Sequence, residues 1–122
     1  MSRDHRKLRV FQLADALALR VYSETAALPM EERFALQAQL RRAAVSVAAN
    51  IVEGSARRST PEYCRFLEIA LASASEAAYL LSLARRLGYL AEASSTPIEA
   101  SYGRAQGMLH RMVGALTAGP KP

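Results

Sequence analysis

Apolar residues recur along this chain at helical spacing in four separate stretches. In the first, Val10, Ala14, Leu17, Val21 and Leu28 fall on one face at intervals of four, three, four and seven. The second carries Leu36, Leu40, Ala43, Val47 and Ile51, the seam of a bundle helix. The third carries Phe66, Ala70, Ala77, Leu80, Leu81, Ala84 and Leu87, and the fourth Ile98, Tyr102, Ala105, Leu109, Met112 and Leu116. No segment sustains the period-two alternation of a strand. Breakers and starters divide the stretches. Pro29, Gly54 and Gly88 stop helices. Acidic Met30-Glu31-Glu32, and the hydroxyl–proline–acid runs Ser59-Thr60-Pro61-Glu62 and Thr96-Pro97-Ile98-Glu99, start them. The expected helices are 8–27, 31–55, 60–88 and 96–118, followed by Gly119-Pro120-Lys121-Pro122, which proline keeps from being helical. Short connections between long helices predict an all-α, antiparallel up-down-up-down four-helix bundle filling residues 1–122 as one domain.

The second helix carries one departure from the apolar pattern. Arg42, Ser46, Asn50 and Glu53 recur at steps of four, four and three, with Gln39 and Arg57 extending the line. At about 100° per residue these form one narrow polar stripe. On the side opposite the seam, Val45, Ala48 and Val52 present a further apolar surface, which predicts a cover, and the expected cover is a second copy of the chain. A stripe lying between two apolar faces must pair its polar groups. Ser73 and Glu76 on the third helix are the expected partners. An Arg42–Glu76 or Arg42–Glu53 ion pair, completed by Ser46 and Asn50, would set helix register or subunit packing.

Composition narrows the chemistry. The chain has 122 residues, 51% hydrophobic and 22% charged, with a net charge of +5 carried mostly by arginine. That balance suits a single globular core. Cys64 is the one cysteine, so neither an internal disulfide nor a thiolate metal cluster can form, and its helical setting reads as packing. His5 and His110 are far apart in sequence, and no di-metal ligand set, phosphate loop or nucleophile elbow is present. These patterns predict no catalytic residues, no metal and no cofactor. The charged start and the lack of an obvious membrane-spanning apolar run predict a cytoplasmic protein with no membrane partner.

The arginines are the remaining resource. Antiparallel topology brings the start of the first helix to the same end as the turn after the second. Arg3, Arg6, Lys7, Arg9, Arg57 and Arg58 are thereby gathered at one end of the bundle. Such a surface suits nucleic-acid backbone without sequence readout. No interleaved aromatics point to base stacking. The competing reading is a solvated basic end, its arginines serving solubility and subunit contacts.

Several segments together resemble a known family: Leu28-Pro29-x-Glu31-Glu32-Arg33-Phe34, Gln39-Leu40-Arg41-Arg42-Ala43-Ala44-Val45-Ser46-Val47, Asn50-Ile51-Val52-Glu53-Gly54, Phe66-Leu67-x-Ile69-Ala70 and Ser73-x-x-Glu76. The chain is similar, from about Leu8 to Leu116, to the bacterial four-helix bundle proteins encoded by intervening sequences of 23S ribosomal RNA genes. Ala72 replaces a frequent glycine of that family, an expected change in close helix packing, and Ala48 replaces a frequent proline. The resemblance implies a homopentamer around a central channel, and kinship with the accessory protein of diversity-generating retroelements. It implies no catalytic residues. Ribosomal RNA, another nucleic acid or a reverse transcriptase are the partners it suggests. The alternative function is a structural or protein-interaction oligomer, for example a reverse-transcriptase accessory subunit without a direct nucleic-acid role.

Overall fold

The computed structural model describes residues 3–118, so the tail expected at Gly119–Pro122 lies outside the described residues. Four helices pack antiparallel: α1 (Arg9–Thr25), α2 (Leu36–Ser55), α3 (Thr60–Arg86) and α4 (Glu92–Thr117). No strand occurs among the described residues. The most extensive packing joins α2 with α3 and α3 with α4, and α1 and α4 meet along the shortest seam. The core is built from the expected positions. Val10, Ala14, Leu17, Val21, Leu36, Leu40, Ala43, Val47 and Ile51 are buried, as are Ala70, Ala77, Leu81, Ala84, Ile98, Tyr102, Ala105 and Leu109. Tyr63, Leu67 and Ala74 join them. Phe66 is only half-buried and Leu87 is exposed. Cys64 is buried, in keeping with its packing role.

Two helix starts differ from the sequence expectation. α2 begins at Leu36 rather than Glu31, because Met30–Glu32 form a separate 3₁₀ turn and Ala35 (φ −116°, ψ −103°) lies outside helical geometry. The Glu32 carboxylate accepts from the Leu36 backbone N–H at 3.4 Å, capping the new start. α4 begins at Glu92, leaving Pro97 inside the helix. Its second turn is held by polar side chains: Thr96 donates to the Glu92 carbonyl at 2.8 Å, and buried Ser95 donates to Glu99 at 2.8 Å. α3 starts where its sequence predicts. Ser59 Oγ accepts from the Glu62 N–H at 3.2 Å, with a proline in the first turn. Gly88, at φ +82°, turns the chain out of α3 in the left-handed region that glycine adopts cheaply.

α3 is also long and apolar enough to cross a membrane by length and composition, contrary to the sequence reading. In the bundle its Ala70, Ala74, Ala77, Leu80 and Leu81 are core residues.

Candidate nucleic-acid interface

The basic end is assembled by a crossover. Residues 3–8 do not prolong α1; they turn across the end of α2. The Arg3 N–H donates to the Ser55 carbonyl at 3.2 Å, and its guanidinium donates to the Arg57 carbonyl at 3.5 Å. The same guanidinium lies 4.1 Å from the centre of the buried Tyr63 ring. Asp4 organises the 3₁₀ turn at His5–Lys7 by accepting from the Arg6 N–H at 3.0 Å.

All six predicted cations therefore lie at one end, and they divide into two sets. Arg6 is held in a fork by Asp4 at 3.0 and 3.1 Å, which draws that carboxyl below the usual carboxylate range. Arg57 pairs with Glu53 at 3.1 Å and stacks 4.7 Å from the Phe66 ring centre. Arg3 is committed to Tyr63. Lys7, Arg9 and Arg58 are exposed and make no ion pair among the described residues. One contributor is absent from the sequence expectation: Arg111 on α4 lines the same groove as Arg9. The antiparallel order is the signal that supplies it, since α4 ends where α1 begins.

The polar stripe forms, but with other pairings than expected. Ser46 and Ser73 bridge α2 and α3 through their hydroxyls at 2.8 Å. Asn50 donates to the Ser46 carbonyl at 2.8 Å and to its hydroxyl at 3.0 Å. Gln39 reaches Glu76 at 3.3 Å, and Glu53 turns to Arg57. Neither expected Arg42 ion pair forms among the described residues; Arg42 is exposed, in a shallow groove with Gln39, Ser46 and Glu76. The spacing of the stripe is as expected, but Gln39 and Arg57 lie nearer to the two carboxylates. The second apolar side of α2 is also partly accounted for within the chain. Val52 lines a groove with residues 3–6, and Ala48 packs on the core, leaving Val45 exposed. Ala72 is exposed, so its replacement of glycine does not touch packing inside the bundle.

Two polar networks carry no motif in the sequence. Arg41 donates to Thr25 Oγ1 at 2.9 Å and to the Tyr22 carbonyl at 3.0 Å, while Gln37 donates to the Thr25 carbonyl at 2.8 Å. These side chains satisfy the free carbonyls at the end of α1 and bring a cation to the negative end of its dipole. At the α3–α4 seam, Arg85 clamps Glu99 at 2.9 and 3.2 Å, and Ser95 completes the site. The Arg85 hydrogen bond, aided by Ser95, holds the Glu99 carboxyl below its ordinary range against the opposing effect of burial.

A family model described as 23S rRNA-intervening sequence protein matches residues 6–111. A solved structure from Bacteroides thetaiotaomicron VPI-5482, described as a protein with unknown function from the S23 ribosomal protein family, is similar in fold. It superposes with a TM-score of 0.79 at 26% identity, covering 85% of this chain and 97% of that one. No curated protein matches the chain.

Proposed function

Since the chain belongs to the 23S rRNA-intervening sequence protein family, we propose that it is a non-enzymatic, cytoplasmic, homo-oligomeric scaffold whose basic end binds nucleic-acid backbone without reading sequence. The observation that carries this reading is the convergence of Lys7, Arg9 and Arg58 as exposed cations at one end of the bundle. Lys7 comes from the segment that crosses onto α2, Arg9 from the start of α1 and Arg58 from the turn between α2 and α3. Assembly repeats such a patch around a ring, a pentamer on the family resemblance, and multiplies its avidity for a polyanion. The family description makes ribosomal RNA the first ligand to try.

Counterion release supplies the test. Binding of the full chain to a ribosomal RNA fragment, an unrelated RNA and a DNA duplex is measured across a salt series. The expected result is similar affinity for all three at low salt and a steep linear fall of log K with log salt. Lys7→Glu/Arg58→Glu is expected to flatten that slope. Absence of binding at low salt contradicts the proposal. A second reading, a protein-interaction oligomer such as an accessory subunit of a reverse transcriptase, draws on the internal use of Arg3, Arg6 and Arg57. It predicts assembly without nucleic-acid affinity.

A further inference from the structure

Three ion pairs form among the described residues, and two of them lie at the basic end. The third, Arg85–Glu99, is the half-buried clamp that joins α3 to α4. The two at the basic end join no pair of core helices. Asp4 and Arg6 are two residues apart in the segment that crosses onto α2, and Glu53 and Arg57 are four apart across the end of α2. Both arginines stay at the surface, the Arg6 side chain 78% exposed and that of Arg57 42% exposed. Local, exposed pairs of this kind contribute little to stability. Stability therefore leaves their presence on a basic surface unexplained.

The pairing has a chemical consequence. A guanidinium offers the same planar fork of donors to a carboxylate and to a phosphate. Asp4 fills the Arg6 fork with both oxygens, 3.0 Å from Nε and 3.1 Å from Nη2. Its Oδ1 also accepts from the Arg6 backbone N–H at 3.0 Å, which fixes the carboxylate in place. The Arg6 hydrogen bond holds the Asp4 carboxyl below the usual carboxylate range, so the pair is intact at neutral pH. Glu53 takes Nη2 of Arg57 at 3.1 Å, while the Phe66 ring lies 4.7 Å from the guanidinium. Arg57 Nε is buried and has no hydrogen-bond partner among the described residues. A ligand arriving from solvent must use the terminal nitrogens, one of which Glu53 already holds. Arg3 is anchored differently, on the Tyr63 ring and the Arg57 carbonyl, and no carboxylate cancels its charge.

We propose that Asp4 and Glu53 are built-in substitutes for phosphate, which withhold Arg6 and Arg57 from nucleic-acid backbone and keep the affinity of the basic end below what all its arginines would supply. This rests on the nucleic-acid reading above and adds a limit that the chain sets on its own binding. Lys7, Arg9 and Arg58 carry the contact, and the two withheld arginines leave it weaker and more readily reversed.

A salt series of binding to a DNA duplex, on the full chain, tests the limit. Asp4→Asn keeps an acceptor for the Arg6 N–H, so the turn stays capped, but it loses the charge that fills the fork. Glu53→Gln removes the charge held against Arg57. Asp4→Asn/Glu53→Gln should bind more tightly than wild type. Its slope of log K against log salt should steepen by about 2 for each subunit in contact, near 1 per released cation. Glu62→Gln is the control. It removes an exposed carboxylate from the start of α3, at the same end, that pairs with no arginine among the described residues. Its slope should match wild type. A double-mutant cycle traces the gain to its cation: in an Arg6→Gln background, Asp4→Asn should add nothing to the slope. Circular dichroism checks that each variant is folded. If wild type binds but the double variant keeps its slope, or Glu62→Gln steepens it as much per charge, or Asp4→Asn steepens it without Arg6, the withholding is wrong and the proposed function stands. If wild type does not bind at low salt, the proposed function falls. Binding by Asp4→Asn/Glu53→Gln alone would then uphold the withholding, and binding by neither would overturn both.

Discussion

Gly54 lies where α2 passes close to α3. A Cβ placed there would meet the Phe66 Cβ at 3.0 Å and Tyr63 Cδ1 at 3.1 Å. By sequence this glycine marks the end of α2, which does end at Ser55, but it does so without a positive φ, and the residue's use is close approach. Gly54→Ala improves helix propensity by about 1 kcal/mol, but overpacking a buried contact costs about 1–3 kcal/mol. The expected net effect is a lower melting temperature. Gly103 lies mid-helix in α4, and a methyl group added there would have nothing within 4 Å. Gly103→Ala is therefore expected to stabilise by up to about 1 kcal/mol. Paired thermal melts check both signs. Among the stripe residues, Asn50 donates both of its bonds to Ser46, which in turn holds Ser73. Asn50→Ala is expected to lower the melting temperature by loosening that bridge; unchanged melting and assembly would remove its role in register.

The helices are legible in the sequence wherever apolar periodicity and local capping agree. Ser59 and Pro61 mark the start of α3, and Gly88 marks the turn beyond its end. The pattern misleads where one motif has two uses. Thr96-Pro97-Ile98-Glu99 has the residue types of a helix start, but Glu99 is engaged by Arg85, fourteen residues away on α3, and α4 begins a turn earlier. Likewise Arg41 reads as one more surface cation, and only the packing of α1 on α2 reveals it as a cap on Thr25 and Tyr22. Sequence spacing reports which residues share a face; it does not report which neighbour across the seam is nearest. The Arg85–Glu99 clamp has a pH consequence. Because folding lowers the Glu99 pKa, its contribution is present above the ordinary glutamate range and is lost as pH falls through the folded value. Wild-type melting temperature should therefore decline below about pH 4 more steeply than that of Glu99→Gln. Equal slopes would show that the clamp contributes nothing to stability.

At the scale of the whole molecule, the bundle is asymmetric from end to end. Lys7, Arg9, Arg58 and Arg111 mark one end, and Met30 and Phe34 stand out at the other. Topology and the position of the basic cluster are legible in the sequence, because helix order alone dictates which termini share an end. The division of the cations into engaged and exposed sets is not. It depends on Asp4, Glu53, Tyr63 and Phe66 lying within reach of particular guanidinium groups. The exposure of Met30 and Phe34 is not legible either, because a second helix expected from residue 31 hides the 3₁₀ turn and the break at Ala35 that flank them. On the proposed function the exposed cations bind nucleic-acid backbone, and the salt dependence of that binding counts their contacts. The slope of log K against log salt for the wild-type chain should be steep. In Lys7→Glu/Arg58→Glu it should fall by about 2 for each subunit in contact, near 1 per cation removed. No binding at low salt, or an identical slope in the variant, would contradict the account.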